Sequence, residues 1–213
     1  MYLSNYRRTL KLFSHLTLNP NNILSYLRFS LSSRNPLEIG LPWWSLPAIR
    51  AIKEHLSEKH TVFEWGSGGS SIFLATYCKA ITSVEQDKVW HKDVLGRVTQ
   101  DKINNLNLLF RGINLENARK FLESDYAKAL DSIHDVIVID GEDNFGPYSN
   151  WSARECCFAL AQKHINPKGG IIVVDDSWRY PAIRKSTNAR ELIIHEGIGP
   201  CRIGVTSTDF HYY

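Results

Sequence analysis

From residue 61 the chain alternates short β-rich runs with longer helix-like stretches, and this alternation limits the available folds more than any other feature. The runs are TVFEW, AITSVE, LNLLF, HDVIVID and GGIIVVDD, with helix-like segments around 70–79, 88–101, 115–130 and 150–165. Strands separated by helices predict a parallel sheet covered on both faces. VIVID and IIVVD are apolar without interruption, as strands buried from two sides must be. The ending differs. ELIIHEGIGPCRIGVTSTDF reads as two strands joined by a Gly-Pro turn, too short to hold a helix, so this pair has to be antiparallel. The expected fold class is α/β: a doubly wound, mostly parallel seven-stranded sheet with a short crossover around RYPAIRKSTNAR and a C-terminal antiparallel hairpin.

Residues 1–46 are expected to form a helical N-terminal extension, and 47–213 the main domain. NPNN and SSRNP break the first 40 residues into short helical pieces. Leu3, Tyr6, Leu10 and Phe13 recur on one helical face, which is expected to pack against the domain. The alternatives are a contact with a partner, a membrane surface or a second copy in a homo-oligomer, or a lid over the active site. After Pro47, Ile49, Ile52 and Leu56 mark another helix. A formal charge of +3 with acids and bases interspersed gives no reason to expect a nucleic-acid partner. No apolar run reaches the length of a membrane span, and the N-terminus lacks the block and cleavage pattern of a signal peptide. Cys78, Cys156, Cys157 and Cys201 show no CxxC spacing and read as free thiols, in keeping with a reducing, cytoplasmic location.

The stretch TVFEWGSGGSSIFLA places Glu64 at the end of an apolar strand and then Gly66, Gly68 and Gly69 in a turn that opens a helix. Glycines allow a backbone that other residues resist and a close approach by a ligand. In a doubly wound sheet that turn faces the ligand crevice, where amides at a helix start suit an anionic group. The next strand ends in Glu85, at the distance where a carboxylate accepts hydrogen bonds from ribose hydroxyls. Together these predict an adenosine-containing ligand. The third glycine of a dinucleotide fingerprint is replaced by serine, and no phosphate-binding G-x-x-x-x-G-K-[ST] loop exists. A carboxylate just before the first glycine suits a ligand that carries an ammonium group.

FEWGSGGSS resembles motif I of the class I S-adenosylmethionine-dependent methyltransferases. SVEQD resembles the acidic end of their second strand, VIVIDG and PKGGIIVVDD their fourth and fifth strands, and the final hairpin their sixth and seventh. The likeness spans about residues 47–213 and implies a Rossmann-like methyltransferase domain with S-adenosyl-L-methionine as cofactor. It implies that Glu64 and the turn Gly66, Ser67, Gly68, Gly69 and Ser70 hold the methionine end, that Glu85 holds the ribose, and that Asn114 in RGINLENA borders the adenine.

Asp140 ends the fourth strand, and Asp175 and Asp176 end the fifth, on the rim expected to hold the cofactor. Three readings stay open for them. They could hold Mg2+, an arrangement similar to that of catechol-type and certain sugar O-methyltransferases, although Asp143 stands where such families often carry histidine. Asp140 or Asp176 could act as a general base without metal, or Asp140 could contact the cofactor's ammonium group. Asp175 or Asp176 could cap the following helix. His91, His134 and His164 lack partners at metal spacing and read as core or surface residues. Trp43, Trp44, Trp151, Trp178 and Tyr180 either wall an acceptor pocket or pack. No Asn/Asp-Pro-Pro-Tyr/Phe motif of amino-group methylation follows the fourth strand. The expected function is methylation of a small-molecule acceptor, at a hydroxyl oxygen. Two other readings stay open: an NAD-dependent oxidoreductase on a similar sheet, and a non-catalytic, cofactor-binding relative or scaffold.

Overall fold

The structure, a computed structural model, describes residues 5–31, 34–144 and 149–213, with side chains from residue 9 onward. Five parallel strands, β1 (Thr61–Trp65), β2 (Ala80–Glu85), β3 (Leu106–Phe110), β4 (Val136–Ile139) and β5 (Ile171–Val174), are joined by β6 (Glu191–Ile198) and β7 (Val205–Tyr212). They form one sheet in the order β3-β2-β1-β4-β5-β7-β6, with β7 antiparallel to both neighbours. The seven-stranded sheet with its terminal hairpin is therefore as expected.

The helices are α1 (Asn5–Leu18), α2 (Asn22–Ser25), α3 (Pro36–Ile39), α4 (Leu46–His55), α5 (Gly69–Ala75), α6 (Lys88–Gln100), α7 (Ala118–Glu123), α8 (Ala153–His164) and α9 (Pro181–Ser186). One π-turn, Tyr26–Ser30, continues α2. The segment 115–130, expected as one helix, is split: α7 ends at Ser124 in extended backbone, and a single 3-10 turn, Ala127–Ala129, follows. Serine bonding locally to the backbone competes with helix continuation, and the Ser124 hydroxyl does so by donating to the Phe121 carbonyl at 2.6 Å.

Alternation along each strand builds two cores. Val62, Val136, Val138, Ile171 and Val173 face α4 and α5 with Trp44 and Leu74. Phe63, Trp65, Ile137, Ile139, Ile172 and Val174 face the other way, against Phe121, Phe158 and Ile183. Both faces of the central strands are thus dry, which explains their unbroken apolar runs. The cysteines are free: Cys78 and Cys157 are buried, and Cys156 and Cys201 half-buried. His91 packs on Phe110 and His134 on Phe63, while His164 bonds the Leu160 carbonyl.

A buried ion pair fastens the crossover to the hairpin. Asp209 in β7 is fully buried and accepts from Arg184 Nε at 2.6 Å, from Arg184 Nη2 at 3.0 Å and from the Ser177 hydroxyl at 2.6 Å. Removing one partner leaves the other charge without its counterpart. Asp209→Ala is expected to lower unfolding free energy by about 3 kcal/mol, read from chemical denaturation.

Candidate functional site

The turn after β1 is shaped by close backbone packing. Gly66 has φ +96°, and a Cβ there would stand 2.9 Å from the Asp140 carbonyl group. Any side chain would therefore drive the turn off the end of β4 while straining its own backbone. Gly69 meets a different constraint. A Cβ there would strike the carbonyl oxygens of Leu41 and Pro36, so this glycine admits the N-terminal segment rather than a ligand. Gly68 lies beside Trp90, whose indole N–H donates to the Ser67 carbonyl at 2.8 Å and holds the turn from α6.

Glu85 sits at the end of β2 facing this turn. Its Oε2 accepts from the Ser67 hydroxyl at 2.8 Å, and its Oε1 from the amides of Gln86 and Asp87, each at 2.9 Å. The capping of α6 falls to Asp87, which accepts from Val89 and Trp90. Glu85 is thereby a carboxylate fixed in orientation, with one oxygen held only by a hydroxyl that can rotate away.

Glu64 lies beneath the turn, not in the crevice. It is 0% exposed, and its Oε2 accepts from the hydroxyls of Ser71 at 2.5 Å and Ser83 at 2.6 Å. Oε1 has no partner. Burial pushes its pKa up, against hydrogen bonds from Ser70, Ser71 and Ser83, to about 7. Ser70 points inward and is buried, adding a hydroxyl beside this carboxyl. Glu64 ties β1 to β2 through Ser83 and to α5 through Ser71, and so sets the height of the glycine turn. Asn114 is exposed and folds back on its own chain, its Oδ1 accepting from the Glu116 amide at 3.0 Å.

The three rim aspartates are neutralised by arginines that the sequence reading missed. Arg154 of α8 donates to Asp140 Oδ1 at 3.3 Å, to the Gly141 carbonyl at 2.8 Å and to the Asp175 carbonyl at 3.0 Å. Trp44, fully buried, donates its indole N–H to Asp140 Oδ2 at 3.0 Å. Arg202, in the turn between β6 and β7, reaches Asp176 Oδ1 at 2.9 Å and Asp175 Oδ2 at 3.6 Å. Thr208 donates to Asp175, Thr206 to Asp176, and Arg179 pairs with Asp176 at 3.4 Å.

Guanidinium groups thus stand against the carboxylates expected to bind Mg2+. Among the described residues no group of three His, Cys, Asp or Glu side chains could hold a metal ion. The residues do not fit the metal, because Asp175 and Asp176 are committed to Arg202, Thr206 and Thr208. Neither caps a helix through its side chain. Asp176 precedes a 3-10 turn in left-handed backbone, φ +49°, with no cap bond. Asp143, standing where the metal-dependent pattern wants histidine, accepts from the Ala153 amide and the Ser152 hydroxyl at the start of α8.

The aspartates titrate differently. Burial pushes Asp140 up, with Arg154 opposing. Burial and the neighbouring Asp140 charge push Asp175 well above the carboxylate range. Burial also acts on Asp176, but Arg202 and Arg179 outweigh it and hold this carboxyl at about 2. A carboxylate that ionises so readily is a weak base, whereas the upward shift makes Asp140 the more basic of the two. Of the aromatics, Trp44 and Tyr180 are buried and pack, with the Arg154 guanidinium over the Tyr180 ring, and Trp151 packs against Phe121. Trp43 and Trp178 stay on the rim, stacked under Arg202 and Arg179.

Comparison with known proteins adds the following. No family model matches the chain, and no curated protein matches it. Solved structures do. A Klebsiella pneumoniae protein with a provisional O-methyltransferase name superposes with TM-score 0.58 at 14% identity, over 97% of this chain and 98% of its own. A Streptococcus mutans protein, provisionally a methyltransferase and solved with SAH, gives 0.53 at 10% identity over 85% and 100%. An rRNA methylase from Streptococcus thermophilus gives 0.55 at 12% identity over 78% and 96%. The chain has the Rossmann-like fold of S-adenosylmethionine-dependent methyltransferases.

The Glu64 tie has a pH signature. Its folded pKa, about 7, lies above that of an unburied glutamate, so the ionisation penalty of its burial is absent at pH 4 and grows as pH rises toward 7. Glu64→Gln removes that titration. The variant's stability relative to the parent is expected to rise between pH 5 and pH 8, by at most about 3 kcal/mol, in denaturant melts at each pH.

Proposed function

We propose that this chain is an S-adenosylmethionine-dependent methyltransferase acting on a small-molecule acceptor, at a hydroxyl oxygen. The observation that carries the cofactor assignment is the Ser67–Glu85 hydrogen bond across the glycine turn, 2.8 Å long. It marks a carboxylate at the glycine turn with a hydroxyl already on it, the partner type that a ribose offers. Glu85 would take the ribose hydroxyls as Ser67 turns away, and the backbone of Gly66, Ser67 and Gly68 would border the methionine end. Glu64 serves beneath them as support, and Asn114 has no part in this reading. Bound S-adenosylmethionine supplies an electrophilic methyl group on a sulfonium.

The chain's own residues then position the acceptor and receive its proton. Asp140 is the base: burial raises its pKa, and Trp44 and Arg154 fix its two oxygens in place. Asp140 would take up the proton that the acceptor hydroxyl gives up on methylation. Arg202 and Arg179, set on Trp43 and Trp178, border the acceptor side. Asp176, held at about 2, is a brace for Arg202 and not a base. The Klebsiella pneumoniae protein supports the oxygen acceptor by its provisional name, while the rRNA methylase shows that the fold also serves other acceptors.

Thermal melting with S-adenosylhomocysteine, NAD and Mg2+ added separately tests the reading. Only S-adenosylhomocysteine should raise the melting temperature, by the equivalent of about 2.7 kcal/mol at a hundredfold excess over Kd. Glu85→Ala should abolish that shift, and a shift with NAD alone would reject the proposal. Asp140→Asn should keep the shift but lose roughly 100-fold or more in turnover in an acceptor screen with labelled cofactor. EDTA should leave turnover unchanged.

A further inference from the structure

The helical face carrying Leu10 and Phe13, expected to pack against the domain, points away from it. Leu3 lies outside the described residues and the side chain of Tyr6 is not described, but Phe13 is 69% exposed and Leu10 is exposed beside it. The residues of α1 that pack inward are Leu12 and Leu16, which join Tyr26 against the core under the sheet. Beyond α1, Leu24 and Leu27 lie on the next helical stretch and Leu31 just past its end, and Leu24 is 74% exposed. Asn22 bonds His15 at 3.2 Å and ties the two helices into one layer. Both helices leave large apolar side chains exposed on the side away from that core.

Charge selects what that surface meets. Residues 1–36 hold five Lys or Arg (Arg7, Arg8, Lys11, Arg28 and Arg34) and no Asp or Glu. The whole chain has 25 basic and 22 acidic residues, so 20 and 22 remain beyond residue 36, a net charge of −2 against +5. Arg28 and Arg34 line a cleft with Phe29, Ile39, Leu41 and one acid, Glu38. Lys11 is paired with Glu196 of β6. In a symmetric dimer the same patch would meet itself and set positive charge against positive charge. An anionic bilayer offers an apolar interior to the leucines and counter-charge to the arginines together.

We propose that α1, α2 and the turn that follows bind this protein to the surface of an anionic lipid membrane, with Phe13, Leu24, Leu27 and Leu31 entering the headgroup boundary. The surface is not remote from the candidate site. The Ser30 hydroxyl donates to the Gly199 carbonyl at 2.7 Å, and the Cys201 amide to the Phe29 carbonyl at 2.9 Å, next to Arg202 on the acceptor rim. Docking would bring that rim near the lipid.

Flotation of the full chain with vesicles tests the proposal. Vesicles of phosphatidylcholine should retain little protein, and vesicles with about one third phosphatidylglycerol at least about tenfold more, an excess that falls in high salt. The exposed pair Leu24→Glu/Leu27→Glu should lose that binding while keeping the parent's melting temperature, and Arg28→Glu should reduce it. Equal retention on both vesicle types, no retention on either, or undiminished binding by the Leu24→Glu/Leu27→Glu protein would overturn the proposal. So would a dimer in light scattering that the leucine variants split, because the face would then belong to a second copy.

Discussion

The rim of this sheet depends on guanidinium groups set against carboxylates in a dry place. Asp140, Asp175 and Asp176 come together because β4 and β5 are adjacent and end at the same level. Left alone, three such charges would repel one another and pay heavily for lost hydration. Arg154 enters from α8 and bonds the ends of both β4 and β5, and Arg202 enters from the hairpin turn onto the end of β5. The arginines therefore do two jobs: they neutralise the rim, and they fasten α8 and the hairpin to the parallel strands. The acids are also separated chemically: Arg202 and Arg179 leave Asp176 a firm anion, while burial raises Asp140 and Asp175.

The strands were readable because burial from two sides forces a composition that short windows reveal. VIVI and IIVV have no other comfortable place than the centre of a covered sheet. The hairpin was readable from length alone. The glycine turn was visible too, but the duties of its members were not: Gly66 answers to Asp140, Gly69 to Leu41 and Pro36, and those partners lie far away in the chain. Glu64 looked like a crevice residue because its neighbours do; only Ser83 on the next strand reveals that it turns inward. Arg154 and Arg202 gave one faint signal, since three acids on one rim require cations, yet the sequence does not say which arginines supply them. Where 115–130 was expected as one helix, Ser124 broke the run by bonding to its own backbone.

The N-terminal part is more involved in the domain than an extension would be. Trp44 lies in the main core and also bonds Asp140, while the backbone at Pro36 and Leu41 covers the first turn of α5. Trp44 is thus both a core residue and a partner of the rim. Leu12 and Leu16 face that core, and Leu10 and Phe13 turn to solvent, so one helix serves two environments.

The latch between Ser30 and Gly199 joins chain positions 169 residues apart. A ribosome making this protein releases the first helices long before their anchor exists. Throughout that interval their oily face has neither a sheet beneath it nor a fixed direction, and it is available to chaperones or to any bilayer nearby. The hairpin therefore both completes the sheet and fixes these helices to it.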